Sequence, residues 1–225
     1  MFPKLLGEFI GTFALVFAGT GAIMVNSMSN GAVTHAGIAI TFGLIVMAMI
    51  YALGDVSGAH FNPAVTGAFW LSGRFPARWI LPYWISQIAG GLLASATLRI
   101  SLGNIAHLGA TLPAGSAMQS FILETILTAI LMFVILSVST GPKEIGVMAG
   151  IAIGAVVGLE AMFAGPITGA SMNPARSLAP AIVAGQLGSL WIYLSAPLLG
   201  AGISVPLWRF TRGSMDQKSA SSTMR

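Results

Sequence analysis

No cysteine occurs anywhere in the chain, which excludes disulfides, thiolate metal sites and cysteine nucleophiles and leaves the compartment open. Charge is the next scarcity. Only 7% of the 225 residues are charged, against about 25% in a soluble domain, so the surface is built to meet lipid. The three histidines, His35, His60 and His107, are scattered and have no metal-ligand spacing. No nucleophile-and-base set stands out either, so the chain reads as no enzyme, with no metal and no cofactor. The formal net charge is +4, yet no basic stretch is interleaved with aromatics, and a nucleic-acid surface is excluded.

What the chain has in abundance is apolar sequence, 56% of it. Six segments are long enough to span a bilayer: about 5 to 26, 35 to 53, 78 to 100, 118 to 139, 146 to 164 and 188 to 210. Lys4 followed by an apolar run imitates a signal peptide, but the run from Leu5 to Val25 is of span length and contains Glu8, which reads as a retained first helix.

Between the second and third spans, and again between the fifth and sixth, the chain writes the same phrase. The copies are Ser57-Gly58-Ala59-His60-Phe61-Asn62-Pro63-Ala64-Val65 and Thr168-Gly169-Ala170-Ser171-Met172-Asn173-Pro174-Ala175-Arg176. Asn caps helices and Pro suits the first helical turn, where its missing N–H has no partner to lose. Each copy therefore predicts a helix that starts at the Asn. The apolar pieces that follow, Ala64 to Leu71 and Ala175 to Val183, cover only about half of a 30 Å core, so they enter the membrane and stop. Non-helical backbone at that depth is tolerated where it lines a cavity, which predicts a water-filled path with both helix starts aimed into it.

The two halves repeat each other. Gly37-Ile38-Ala39-Ile40 precedes Asn62 much as Gly150-Ile151-Ala152-Ile153 precedes Asn173, and Glu8 and Glu124 occupy matching places in the first helix of each half. Three spans per half force the second copy to be inserted upside down, so the half-helices enter from opposite faces and meet at the midplane. The expected fold is an all-α membrane protein, six transmembrane helices plus two re-entrant half-helices in an inverted repeat, as one channel domain over 1–225. Its halves are about 1–105 and 117–212, residues 106–119 form an external linker, and 213–225 form a polar, disordered cytoplasmic tail. With both termini inside, Lys4, Arg74, Arg78, Lys143, Arg209, Arg212, Lys218 and Arg225 are cytoplasmic, and only Arg99 and Arg176 lie outward. That asymmetry obeys the positive-inside rule.

Two Asn-Pro-Ala motifs on inverted three-helix halves resemble the aquaporin, or major intrinsic protein, family over residues 4 to 210. The resemblance implies a homotetramer with one pore per subunit in a plasma (inner) membrane, passing water and small neutral solutes. It assigns the pore-lining motifs Asn62, Pro63, Ala64, Asn173, Pro174 and Ala175, with both Asn side chains donating to the passing molecule. The family's narrowest point maps onto Phe42, Ala161, Ala170 and Arg176. The stretch from Phe163 to Asn173 resembles the nodulin-like intrinsic proteins and their bacterial relatives, which pass glycerol and neutral metalloid acids. Ser177, Ala181 and Phe42 resemble the water-selective branch instead.

The remaining polar residues have plainer readings. Glu8 and Glu124 accept hydrogen bonds from the re-entrant loop of their own half, or carry protons in a coupled transporter, the rival class. His60 belongs to the inner vestibule, lining or gating the pore or simply packing. Glu160 reads as a helix-end carboxylate at the outer mouth and Asp55 as a loop charge. Ser86, Gln87 and Ser195 are interhelical hydrogen bonders.

Overall fold

The computed structural model describes residues 1–139 and 148–222, which include Lys218 but neither Lys143 nor Arg225. Eight α-helices lie among the described residues: α1 (Phe2–Met28), α2 (Thr34–Ser57), α3 (Pro63–Leu71), α4 (Ile80–Leu102, entered through a 3₁₀ turn at Ala77–Trp79), α5 (Ala117–Val138), α6 (Ala149–Thr168), α7 (Pro174–Ala184) and α8 (Leu190–Ser222). Six of them, counting α8 to Arg212, are long and apolar enough to cross a membrane. Helices are the economical answer there, because lipid offers nothing to a free N–H or C=O. Their outward faces carry exposed side chains such as Ile40, Leu44, Ile85, Leu159 and Phe163.

α3 and α7 are the half-helices. Asn62 and Asn173 cap them from extended backbone, their side-chain oxygens accepting from the amides of Ala64 at 2.8 Å and of Ala175 at 3.0 Å. At 9 and 11 residues they reach about 14 and 17 Å, half of the hydrocarbon core.

The packing repeats across the two halves. α1 lies on α2 and α4 as α5 lies on α6 and α8, while α2 packs on α6 at the centre. Even the closest approaches recur: a Cβ added to Gly90 of α4 would lie 2.2 Å from the carbonyl oxygen of Phe9, and one added to Gly200 of α8 would lie 2.1 Å from that of Thr125. Each half-helix also packs on the last span of the other half, α3 on α8 and α7 on α4. There an arginine holds its C-terminal carbonyls: Arg209 donates to the Leu71 carbonyl at 3.0 Å, and Arg99 donates to that of Val183. A cation at a helix C-terminus opposes its negative dipole end.

Several expectations need adjusting. α2 runs to Ser57, so Asp55 is helical rather than a loop charge. The segment from Gly213, expected as a disordered tail, continues α8 as helix to Ser222, since Met215, Gln217, Lys218 and Ala220 are sound helix formers with no proline among them. The Gly-Ile-Ala-Ile pair is not the structural repeat, because the crossing of α2 and α6 pairs Gly43 with Gly154. Ser195 bonds the Trp191 carbonyl of its own helix rather than a neighbour. Met1, Lys4 and Arg74 line one cavity, and Arg74 lies 4.6 Å above the Trp208 ring, so the N-terminus and the membrane end of α8 share a face.

Candidate functional site

Each half hangs its re-entrant loop on one buried carboxylate. Glu8 accepts from the Ser57 hydroxyl at 2.8 Å, the Gln87 side-chain amide at 2.8 Å, and the backbone amides of His60 at 3.0 Å and Phe61 at 2.7 Å. Glu124 does the same in the second half, taking the Thr168 hydroxyl and the amides of Ser171 and Met172, each at 2.8 Å. A tyrosine then ties the end of the preceding helix: Tyr83 donates to the Ser57 carbonyl and Tyr193 to that of Thr168, both at 2.7 Å. These anchors hold Ala59, Phe61, Ala170 and Met172 at φ between 41° and 53°, a conformation costing L-residues roughly 1–2 kcal/mol each. Glu8 and Glu124 thus each accept hydrogen bonds from the re-entrant loop of their own half. With their oxygens so occupied, neither is placed to shuttle protons.

The loops meet tip to tip. The Asn62 amide nitrogen donates to the Met172 carbonyl at 2.7 Å, and that of Asn173 donates to the Phe61 carbonyl at 2.8 Å. Each asparagine thus commits one of its two amide hydrogens to the opposite loop, which the sequence reading did not foresee. The second hydrogen remains for the cavity that both residues line.

That cavity, of about 530 Å³, runs along the protein and brings together Phe42, Ala161, Ala170 and Arg176 as well as Asn62, Asn173 and His60. Pro63, Ala64, Pro174 and Ala175 are buried behind it in the first turns of the half-helices. Arg176 is 2% exposed. It donates to the Gly109 carbonyl at 2.9 Å, and its guanidinium carbon lies 5.0 Å from the centre of the Phe42 ring. A desolvated cation over an aromatic face is stabilised by about 2 kcal/mol. The two alanines offer only methyl groups to the same space.

The carbonyl that steers Arg176 comes from a turn absent from the sequence reading. Ala106, His107, Leu108 and Gly109 all have positive φ, from 46° to 68°, and this left-handed turn aims the Gly109 carbonyl inward. Two residues on, the Thr111 hydroxyl donates to Ser177 at 2.7 Å, and Ser177 meets Ser171 at 2.5 Å, locking the linker to the second loop. Among the described residues no group of three His, Cys, Asp or Glu could hold a metal.

Residues 1–208 match the model of the major intrinsic protein family. The chain belongs to that family. An aquaporin NIP1-1 from Zea mays is 51% identical over 199 residues, spanning 88% of this chain and 71% of the relative. Nodulin-26 from Glycine max is 47% identical over the same share of this chain and 73% of its own length. Among solved structures, the aquaglyceroporin from Plasmodium falciparum superposes with a TM-score of 0.82 at 27% identity, covering 92% of this chain and 95% of that one. The protein is therefore a multi-pass membrane channel for water or small solutes and not an enzyme, and its kinship to the nodulin-like group holds.

Within this major intrinsic protein, Glu160 departs most from expectation. It lies inside α6, well short of the helix end, is 1% exposed, and both its oxygens lack a hydrogen-bond partner. It is therefore not a helix-end carboxylate. The residues that sequence reasoning missed are Gly109, Thr111, Tyr83 and the supporting role of Tyr193. Only the tyrosines left a trace, as a matched pair in the last span of each half.

Proposed function

We propose that the channel conducts water and small uncharged hydroxylated solutes passively, with glycerol and neutral hydroxides of arsenic, boron or silicon as the solute class. Phe42, Ala161, Ala170 and Arg176 form the constriction that selects them. The observation that carries this reading is the cavity wall itself, where one aromatic ring and two methyl groups face one arginine. A solute with carbon on one side and hydroxyls on the other loses little when its carbon part dehydrates against Phe42 and the alanines, while Arg176 keeps donors for its hydroxyls. Asn62 and Asn173 then receive it with their remaining amide hydrogens. Arg176 and the two half-helix N-termini, whose positive ends meet at the centre, repel cations and protons.

The halves 1–105 and 117–212 form the inverted repeat, and four subunits assemble, each with its own pore. Both termini face the cytoplasm and Thr111 the outer side, in a plasma (inner) membrane; the eight-to-two cation count supports this orientation.

Stopped-flow light scattering on proteoliposomes tests the reading, with Ala161→His as the paired variant. Wild type is expected to take up glycerol and arsenite well above empty liposomes, and Ala161→His to lose most of the glycerol flux while still passing water. Glycerol and arsenite uptake no faster than empty liposomes, with water flux intact, would establish a strictly water-selective channel instead.

A further inference from the structure

Pro166 sits inside α6, where it has no N–H for the carbonyl four residues back and its ring pushes that carbonyl out of line. The orphaned carbonyl belongs to Met162. Counted back from the two asparagines, the first half has Asp55 in the matching place, so α2 keeps the helical donor that α6 gives up. Met162 and its neighbour Phe163 carry exposed apolar side chains on a membrane-spanning helix. Lipid has no donor to offer a carbonyl there, so another part of the protein must supply one.

The donor comes from α2. Nε2 of His35 lies 2.6 Å from the Met162 carbonyl oxygen. A carbonyl only accepts, so Nε2 is the nitrogen that carries the hydrogen. The ring can reach this position because residue 165 is glycine, where an added Cβ would lie 2.9 Å from Cε1 of His35. The contact is also one rung of a seam. Stepping along α2 and α6 in opposite directions, four residues at a time, Gly43 meets Gly154, Ala39 meets Gly158 and His35 meets Met162. The first two rungs are backbone against backbone, whereas the third is a side-chain hydrogen bond. Phe42 stands next to Gly43 and Ala161 next to Met162, so the separation of the two helices sets the gap between ring and methyl in the cavity they line.

We propose that His35 is a positioning residue for the constriction. By donating from Nε2 to the carbonyl that Pro166 orphans, it latches the C-terminal turns of α6 to α2 and holds Ala161 at its distance from Phe42. That Phe42 and Ala161 select the solute rests on the proposed function; the latch does not. His35 lies outside the cavity wall, so it acts on the pathway through the two helices and touches no solute. The latch gives one reason for three residues: the proline that frees a carbonyl, the glycine that makes room, and the imidazole that fills it.

A double-mutant cycle tests the latch. Pro166→Ala returns an N–H to the Met162 carbonyl, so His35→Leu should lower Tm in detergent in the wild-type background and much less in the Pro166→Ala background. Equal losses in both would overturn the proposal, because a ring that merely packs does not sense whether residue 166 has an N–H. Solid-state ¹⁵N NMR of histidine-labelled protein, with His35→Gln identifying the His35 signals, should show a protonated Nε2; a bare Nε2 would overturn it too. In proteoliposomes His35→Leu should raise the ratio of glycerol to water permeability by up to about tenfold, since a latch shifts two arrangements by no more than the worth of its one hydrogen bond. His35→Gln, whose amide donates from nearly the same place, should stay near wild type. A ratio in His35→Leu equal to wild type would sink the positioning role. If neither protein passes glycerol, the proposed solute class fails, and the positioning role is read from water permeability, which His35→Leu should alter and His35→Gln should not.

Discussion

Gly43 and Gly154 touch across the crossing of α2 and α6: a Cβ built on either would lie 2.6 Å from the carbonyl oxygen of the other. Backbone meets backbone there, so nothing flexible can give way. Gly43→Ala or Gly154→Ala is expected to wedge the two helices apart at a cost of about 1–3 kcal/mol. Because Phe42 is the next residue along, the wedge should also disturb the ring beside Arg176. A lowered Tm in detergent together with reduced water permeability would bear this out; a Tm equal to wild type would show that the crossing is looser than it looks.

Glu124→Gln replaces an oxygen that accepts amide hydrogens with a group that donates them. Hydrogen bonds to a charged acceptor are worth about 1.5–3 kcal/mol each, so losing one and turning a donor on another should destabilise the protein by at least 2 kcal/mol. Glu8→Gln should do the same in the first half. Thermal unfolding measures both. Wild-type flux separates a channel from a proton-coupled carrier, since it should be identical with and without a pH gradient.

Arg176→Val removes the cation, its hold on Gly109 and its stack on Phe42. Water should still pass, and a leak of protons or monovalent cations should appear, measured as dissipation of an imposed pH gradient in liposomes. A fully proton-tight variant would mean that the half-helix ends alone form the barrier.

Topology can be read with single cysteines, because the chain has none of its own. Thr111 is a poor reporter, being 6% exposed and bonded to Ser177. Ala114, exposed in the linker, and Arg78, exposed in the turn before α4, serve better. Ala114→Cys should react with a membrane-impermeant maleimide from outside intact cells and Arg78→Cys should not. The reverse pattern would invert the orientation assigned from the cations.

Most of this architecture was legible because the bilayer narrows the options. Span length, the paired Asn-Pro-Ala stretches and the matched Glu8 and Glu124 all follow from rules that act along the chain, and the helix starts at Asn62 and Asn173 fell where the capping chemistry put them. What stayed hidden acts through space. Gly109 matters through a backbone carbonyl, which no residue type announces. Glu160 looked like a helix-end charge because local pattern cannot tell a buried face from a wet one in so apolar a helix. The tail beyond Gly213 was misjudged for the opposite reason, since polarity was weighed and helix propensity was not.

The crosswise arginines bear on the order in which the chain takes shape during synthesis. Arg209 reaches Leu71 from the last span, and Arg99 waits in the first half for Val183. When the first three spans have left the ribosome, the half-helix beginning at Pro63 has its cap, its Glu8 anchor and its contact with α4, but neither the last span, on which it also packs, nor the cation for its C-terminal end has yet been made. The first half is therefore held incomplete until nearly the whole polypeptide has entered the membrane. A pathway assembled in this sequence closes its ion barrier in the final step, and a truncated nascent chain carries no finished pore.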